Sequence, residues 1–231
     1  LQFLFKPDDK LNILLNLHAR NLVGTSAIFR ANVITTGSNG LNSNYVRDRV
    51  SFNQGGGNPQ EYNGWGGSAT ITYDFGGMTL TSITGYEQTE GFSRGDIDGG
   101  VAGVGPGIIP FDSDTQDGLD ELRQTTQEAR LGRARNGPLH WQGGVFWFDS
   151  SFTITTVGPS GFPPRTTLTH DNTSWAAFGQ VSYDLSDVLT LTGGVRYTND
   201  HKDLTVIGAP PNNRSVSHNH VSWGVSAMHD V

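Results

Sequence analysis

Apolar and polar side chains alternate with period two in nine segments of this chain, the pattern of strands with two unlike faces. They cover residues 1–5, 11–20, 68–75, 78–87, 125–133, 139–148, 174–184 and 189–198, with a last run from Val221. In 11–20, Leu11, Ile13, Leu15, Leu17 and Ala19 oppose Asn12, Leu14, Asn16, His18 and Arg20. In 68–75, Ala69, Ile71, Tyr73 and Phe75 oppose Ser68, Thr70, Thr72 and Asp74. In 189–198, Leu189, Leu191, Val195 and Tyr197 oppose Thr190, Thr192 and Arg196. The apolar sets carry no charge until a strand end, where Arg133 can snorkel. A lipid-facing wall predicts this, because a cationic side chain at mid-bilayer on a barrel costs ~2–4 kcal/mol. Phe146, Phe148 and Phe178 break the rule by falling on the polar side; a lumen or a packed plug would accept them.

The connections sort by length. Tight turns such as Gly76-Gly77 and Asn136-Gly137-Pro138 alternate with four long connections, expected over 21–66, 88–123, 149–173 and 199–219. Unstructured loops beyond ~12–15 residues are uncommon in compact domains. Four in strict alternation suit an up-and-down transmembrane barrel, with tight turns on the periplasmic side and long loops outside the cell. Tyr73, Trp141 and Tyr183 lie near short turns, and Tyr86, Trp147, Trp175 and Tyr197 near long-loop ends, all on the apolar parity. From Trp175 to Tyr183 a tilted strand covers roughly 20 Å along the membrane normal, close to the spacing of two aromatic girdles. The fold class expected is therefore all-β, an antiparallel transmembrane β-barrel segment.

Composition narrows the partners. The chain has 231 residues with a net charge of -7, which argues against a nucleic-acid surface. It has no cysteine, hence no disulfide and no thiolate metal site. Its 31 glycines and 16% charged residues favour strands and turns. No apolar run reaches the ~18 residues of a transmembrane helix. No signal peptide is visible, and the chain opens and closes inside strand-like runs, so a piece of a longer protein is expected. Its open edge strands would be aggregation-prone in water.

Two hairpins carry a resemblance. "TTQEARL", a short turn and "LHWQGGVFWFD" resemble a hairpin of TonB-dependent outer-membrane receptors, a Gln-Glu-x-Arg-Leu strand followed by Trp-x-x-Gly-aromatic. "WAAFGQVSYDLSDVLTLTGGVRYTNDHKD" looks like a second, and "MTLTSITGYE" and the final "VSW" are similar to other barrel segments of that family. The resemblance covers about half the chain. It implies a barrel of about 22 strands around an N-terminal plug, in the outer membrane of a Gram-negative bacterium. The ligand would bind outside and be released inward with energy from the TonB complex. Residues 1–231 would then be a partial barrel domain, without the plug or TonB box. The partners implied are outer-membrane lipid, the TonB complex through those missing parts, and a scarce solute, foremost a ferric siderophore. Two competitors stay open: a passive porin, and a soluble all-β module such as a carbohydrate-binding sandwich.

On this reading Glu128, Arg130 and Arg196 project into the lumen, either along a ligand or plug path or as salt bridges that only fix register. Arg47, Arg49, Tyr62, Trp65, Phe92, Arg94 and Phe162 are candidates for an outer ligand surface, on loop position alone. His201, His218 and His220, with Asp200 and Asp203, have a spacing that could bind metal, but solvated histidines are the expectation. "GDIDGG" (95–100) and "FDSDTQDGLDE" (111–121) echo calcium loops without the full pattern. No metal or other cofactor is expected. No nucleophile elbow, phosphate loop or zinc-hydrolase motif occurs, so no enzyme is expected.

Overall fold

The computed structural model describes residues 1–30, 32–51, 58–96, 99, 114–133, 137–158, 165–208 and 211–229. These form nine strands: β1 (Gln2–Phe5), β2 (Leu11–Thr25), β3 (Pro59–Asp74), β4 (Met78–Asp96), β5 (Asp114–Arg133), β6 (Leu139–Val157), β7 (Thr166–Ser186), β8 (Leu189–Ile207) and β9 (Asn212–His229). They pair antiparallel in chain order in one sheet, and no described residue is helical.

Among the described residues there is no second layer. Ala176 is the only buried apolar residue among those described, while Ile71, Val145, Val181, Leu191 and Val195 are 40–58% exposed on one face. On β7 the two faces separate cleanly, with Ser174 and Ala176 buried and Trp175, Val181 and Tyr183 exposed. Water would penalise that apolar face at ~25 cal/mol per Å². Hydrocarbon would not.

The ladder register gives the strand tilt. The upper aromatics step down rows of β2 as the sheet is crossed. Trp65 pairs with Ala19, and the row of Tyr86 runs back to Leu17. Trp147 and Trp175 share the row of Leu15, and Tyr197 that of Ile13. Trp223 ends the row of Leu11. If all six lie at one height, the row drops eight residues over the six intervals from β3 to β9. At ~3.3 Å per residue and ~4.8 Å between strands that is a tilt of ~40°, within the range of membrane barrels. Neighbouring girdle rings touch, Trp65–Tyr86 at 5.1 Å and Trp175–Tyr197 at 5.3 Å between centroids.

The strands run far past this girdle. Their short-turn ends fall within two residues of those the alternation predicts, but β3 to β8 are 16–21 residues long. Of the four long connections expected, 149–173 and 199–219 are mostly strand, leaving only 158–165 and 208–211 between strands. The cause is environmental. Past the girdle the outer apolar set ends, as expected where a barrel wall leaves lipid, while Thr, Val and Ile keep the backbone extended. Ten residues past Tyr86, the end of β4 stands ~25 Å above the girdle at this tilt.

At the opposite rim, Asp8 closes the β1–β2 turn by accepting the Lys10 and Leu11 amides, both at 2.8 Å. These two bonds hold its carboxyl below the usual aspartate range. A lowered folded-state value gives stability present above the unfolded value and lost as pH falls through the folded one. Amide exchange at Lys10 and Leu11 should therefore accelerate below pH ~4 in the wild type, and be pH-flat in Asp8→Ala after correction for intrinsic rates.

Candidate ligand path on the inner face

The face opposite the apolar band carries the polar set, and its chemistry changes with height. Near the short turns it is a hydroxyl–carboxylate surface. His140 Nε2 lies 2.9 Å from Asp184, Thr190 donates to the same carboxylate at 2.7 Å, and Ser182 meets Thr192 at 2.8 Å. Higher up, His18 reaches Glu87 at 3.0 Å across β3, which is possible because Gly66 between them has no side chain; a Cβ there would collide with the Glu87 carboxylate.

Glu128, Arg130 and Arg196 all lie on this face, as the parity predicts, but not as one network. Glu128 and Arg130 pair with each other at 3.2 Å along β5, partly exposed, and such a pair contributes little to stability. Arg196 instead stacks on Phe146 and Phe178, at 5.5 and 5.7 Å from their centroids, and its Nε donates to Thr198 at 3.2 Å. Two of the aromatics that break the sequence rule thus have a role, because a desolvated guanidinium gains from aromatic faces.

Gly144 makes the stack possible. It sits in the ladder row of Arg130, Phe178 and Arg196. A Cβ there would lie 2.6 Å from the Ala129 carbonyl, 2.7 Å from Phe178 Cζ and 2.9 Å from Arg130 Cβ. Gly144→Ala is expected to cost ~1–3 kcal/mol by overpacking, read as a lower urea midpoint of the full-length protein. Gly193→Ala, where the methyl meets nothing within 4 Å, should change stability by less than ~0.5 kcal/mol.

Above the girdle the inner face turns apolar. One ladder row carries Leu22, Tyr62, Gly91, Leu119, Ile154, Leu168 and Val206 across seven strands. The next row toward the membrane carries Leu122, Phe152, His170 and Leu204, with Phe152 and His170 stacked at 5.1 Å. A bulge at Asp120 keeps Leu119 and Leu122 on the same face. Sequence reasoning missed these rows because it assigned their residues to loops. The signal was present in "TITTV", "TTLTH" and "DLTVI", where alternation persists with the apolar parity reversed.

The outer-surface candidates divide. Arg47 and Arg49 do lie in a loop, 26–58. Tyr62, Trp65, Phe92 and Arg94 are corrected from loop to strand, on β3 and β4. Of these only Tyr62 faces inward; Trp65, Phe92 and Arg94 share the outer parity of their strands. Phe162 lies outside the described residues. The histidines are strand residues too: His201 faces outward, to Asp203 at 2.9 Å and Ser217 at 2.8 Å, while His218 and His220 share the inner face, their rings 6.2 Å apart. Among the described residues no three His, Asp or Glu gather as a metal cage. In the calcium-like stretches, residues 95–96 and 114–121 are strand and the Gly99 amide donates to Asp96 at 2.9 Å, while 97, 98, 100 and 111–113 lie outside the described residues.

The relatives of this chain agree with that geometry. The family model described as "TonB dependent receptor-like, beta-barrel" matches residues 10–231. No curated protein sequence matches. Among solved structures, the ferric yersiniabactin uptake receptor FyuA from Yersinia pestis superposes with a TM-score of 0.69 at 13% identity, over 96% of this chain and 33% of that one. At that identity the likeness shows the fold, and the chain spans about a third of the receptor's length. A single inside-out sheet, tilted strands, an aromatic girdle and a model match over nearly all its length lead to one assignment: this chain belongs to the TonB-dependent receptor-like β-barrel family.

Proposed function

We propose that this chain is part of the wall of an outer-membrane receptor that takes up a scarce solute by TonB-coupled active transport, and that the solute is a ferric siderophore. The plug and the segment that engages TonB belong, on this reading, to parts of the protein beyond residues 1–231. The observation that carries the proposal is the pair of apolar inner rows through Ile154–Leu168 and Phe152–His170. A passive channel benefits from a polar, weakly binding wall along its whole length. A receptor that collects a dilute solute needs apolar and aromatic area placed where the solute enters, with a few polar groups to orient it. At membrane level the inner face is mainly polar, its Phe146 and Phe178 covered by Arg196, whereas the rim above carries two apolar rows. The family and the fold neighbour, a ferric yersiniabactin uptake receptor, support the same reading.

The test uses the full-length gene under iron limitation. Ile154→Asp combined with Leu168→Asp should lower uptake of the cognate ferric siderophore about tenfold or more, since removing two apolar contacts costs ~1–3 kcal/mol. The amount of receptor in the outer membrane should stay at the wild-type level. A deletion strain that takes up a panel of ferric siderophores as fast as its parent would remove iron from the proposal. Full uptake by the double variant would remove the rim site.

A further inference from the structure

In the connection between β2 and β3, residues 32–51 are folded in their own right. An Ile34–Leu41 bridge closes a small hairpin, and the amides of Asn42 and Asn44 donate to the Asn32 carbonyl at 2.8 and 2.9 Å. Arg30 organises the far side. Its guanidinium donates to the carbonyls of Arg47 at 2.7 Å and Arg49 at 3.2 Å while resting over the Tyr45 ring at 5.3 Å. Arg30 is thereby committed to the loop, and the 47–49 segment is fixed with it.

What this leaves is a cavity of about 310 Å³, lined by the apolar Phe29, Val33, Val46 and Val50 and by Arg30, Ser43, Asn44, Arg49, Ser51 and Gly99. Among the described residues the Arg49 side chain has no hydrogen-bond or ion-pair partner. Loop residues 26–51 hold three arginines against one aspartate, Asp48, in a chain whose net charge is -7. A local positive field on an acidic protein draws anions to this loop. The free guanidinium suits a carboxylate. The four apolar walls suit an uncharged body, and the volume lies at the small end of ligand pockets, ~300–1,000 Å³.

We propose that this loop carries a binding site of its own for a compact organic monoanion, an aryl or branched-alkyl carboxylate, with Arg49 holding the carboxylate and Phe29, Val33, Val46 and Val50 enclosing the body. The site is separate from the apolar rows of the barrel rim and does not depend on which solute the barrel carries. Its recognition step is ionic at one end and hydrophobic at the other, so charge and shape can be removed separately.

The probe is benzoate, titrated calorimetrically into the full-length receptor in detergent, with benzamide as the neutral isostere. Benzoate should bind saturably and about tenfold or more tighter than benzamide, because a hydrogen bond between charged groups is lost in the amide. Arg49→Gln should bring benzoate down to the benzamide level. Val46→Trp, which fills the cavity and leaves the charge, should abolish both. Arg47→Gln, which lowers the loop's charge but does not line the cavity, should weaken benzoate by less than about threefold, the effect of one screened charge, and leave benzamide unchanged. Equal binding of the two probes, no saturable binding of benzoate, or an equal loss in Arg47→Gln would each overturn the proposal. Siderophore uptake is not part of the readout, so failure here leaves the transport reading standing, and the reverse.

Discussion

Ala69→Arg is expected to prevent stable assembly of the wall, while Thr70→Arg, one residue along, is expected to be tolerated. Ala69 lies midway between Trp65 and Tyr73, on the face that carries Ile71 and the girdle rings. An arginine there meets hydrocarbon at mid-bilayer, where the cost is ~2–4 kcal/mol, a large part of the stability of most domains. Thr70 points the other way. It shares a ladder row with Ile83 and Glu128, so a long cation at that position can reach a carboxylate across two strands. The measurement is urea unfolding of the full-length protein in lipid, read alongside the amount recovered from outer membranes. Ala69→Arg should lose most of the recovered protein and lower the midpoint. Thr70→Arg should keep both near wild type. Equal damage from the two would mean that the sheet has no lipid side, and the membrane reading would fail with it.

The comparison between residues 69 and 70 also shows why so much of this fold is legible in sequence, and where legibility stops. In the membrane the two faces meet the most unlike media a protein encounters, so the alternation is strong and both strand and face can be read from it. Every short-turn end was readable for this reason. Above the girdle the contrast fades. Segment 189–198 ends in the reading at Thr198, yet β8 continues through "NDHKDLTVI" to Ile207. That run is polar at one parity up to Ile207 and mixed at the other, and it looks like a loop to any rule that waits for an apolar stripe. Tyr62, Trp65, Phe92 and Arg94 were misplaced by the same cause.

Side-chain roles are a different matter. Parity placed Glu128, Arg130 and Arg196 on one face, but whether they pair is decided by rows and by what lies between. Gly144 and Phe178 occupy the space between Arg130 and Arg196, and no spacing rule contains that. Arg47 and Arg49 lie in a loop, as their Gly-, Asn- and Ser-rich surroundings predict. The residue that shapes that loop, Arg30, gave no sequence signal, because its two carbonyl acceptors are 17 and 19 residues away.

Gly91→Ala should separate folding of the membrane wall from function of the rim. Gly91 is the one position in the apolar inner row without a side chain, and Tyr62 of β3 lies over it. A methyl there would run into the Glu61 carbonyl, 2.5 Å from Tyr62 Cδ1 and 2.8 Å from Tyr62 Cα. Two of these three atoms are backbone, so no rotamer change relieves the clash and β3 and β4 must part. Overpacking of this kind costs ~1–3 kcal/mol or more. It falls beside the bulge at Asp120, where the β4–β5 ladder is already interrupted. The strain should therefore stay local. Amide exchange should quicken in the halves of β3 and β4 above Trp65 and Tyr86, with the halves between the girdles as protected as in the wild type. The protein should still reach the outer membrane, unlike Ala69→Arg, and siderophore uptake should fall at least as far as in the Ile154/Leu168 variant. Gly118→Ala, at the same height on the outer parity, would place its methyl no closer than 3.4 Å to any neighbour and should change neither readout. Normal uptake in Gly91→Ala with the predicted exchange pattern would show that the apolar rows above the membrane are scaffold, and that the solute is gripped elsewhere.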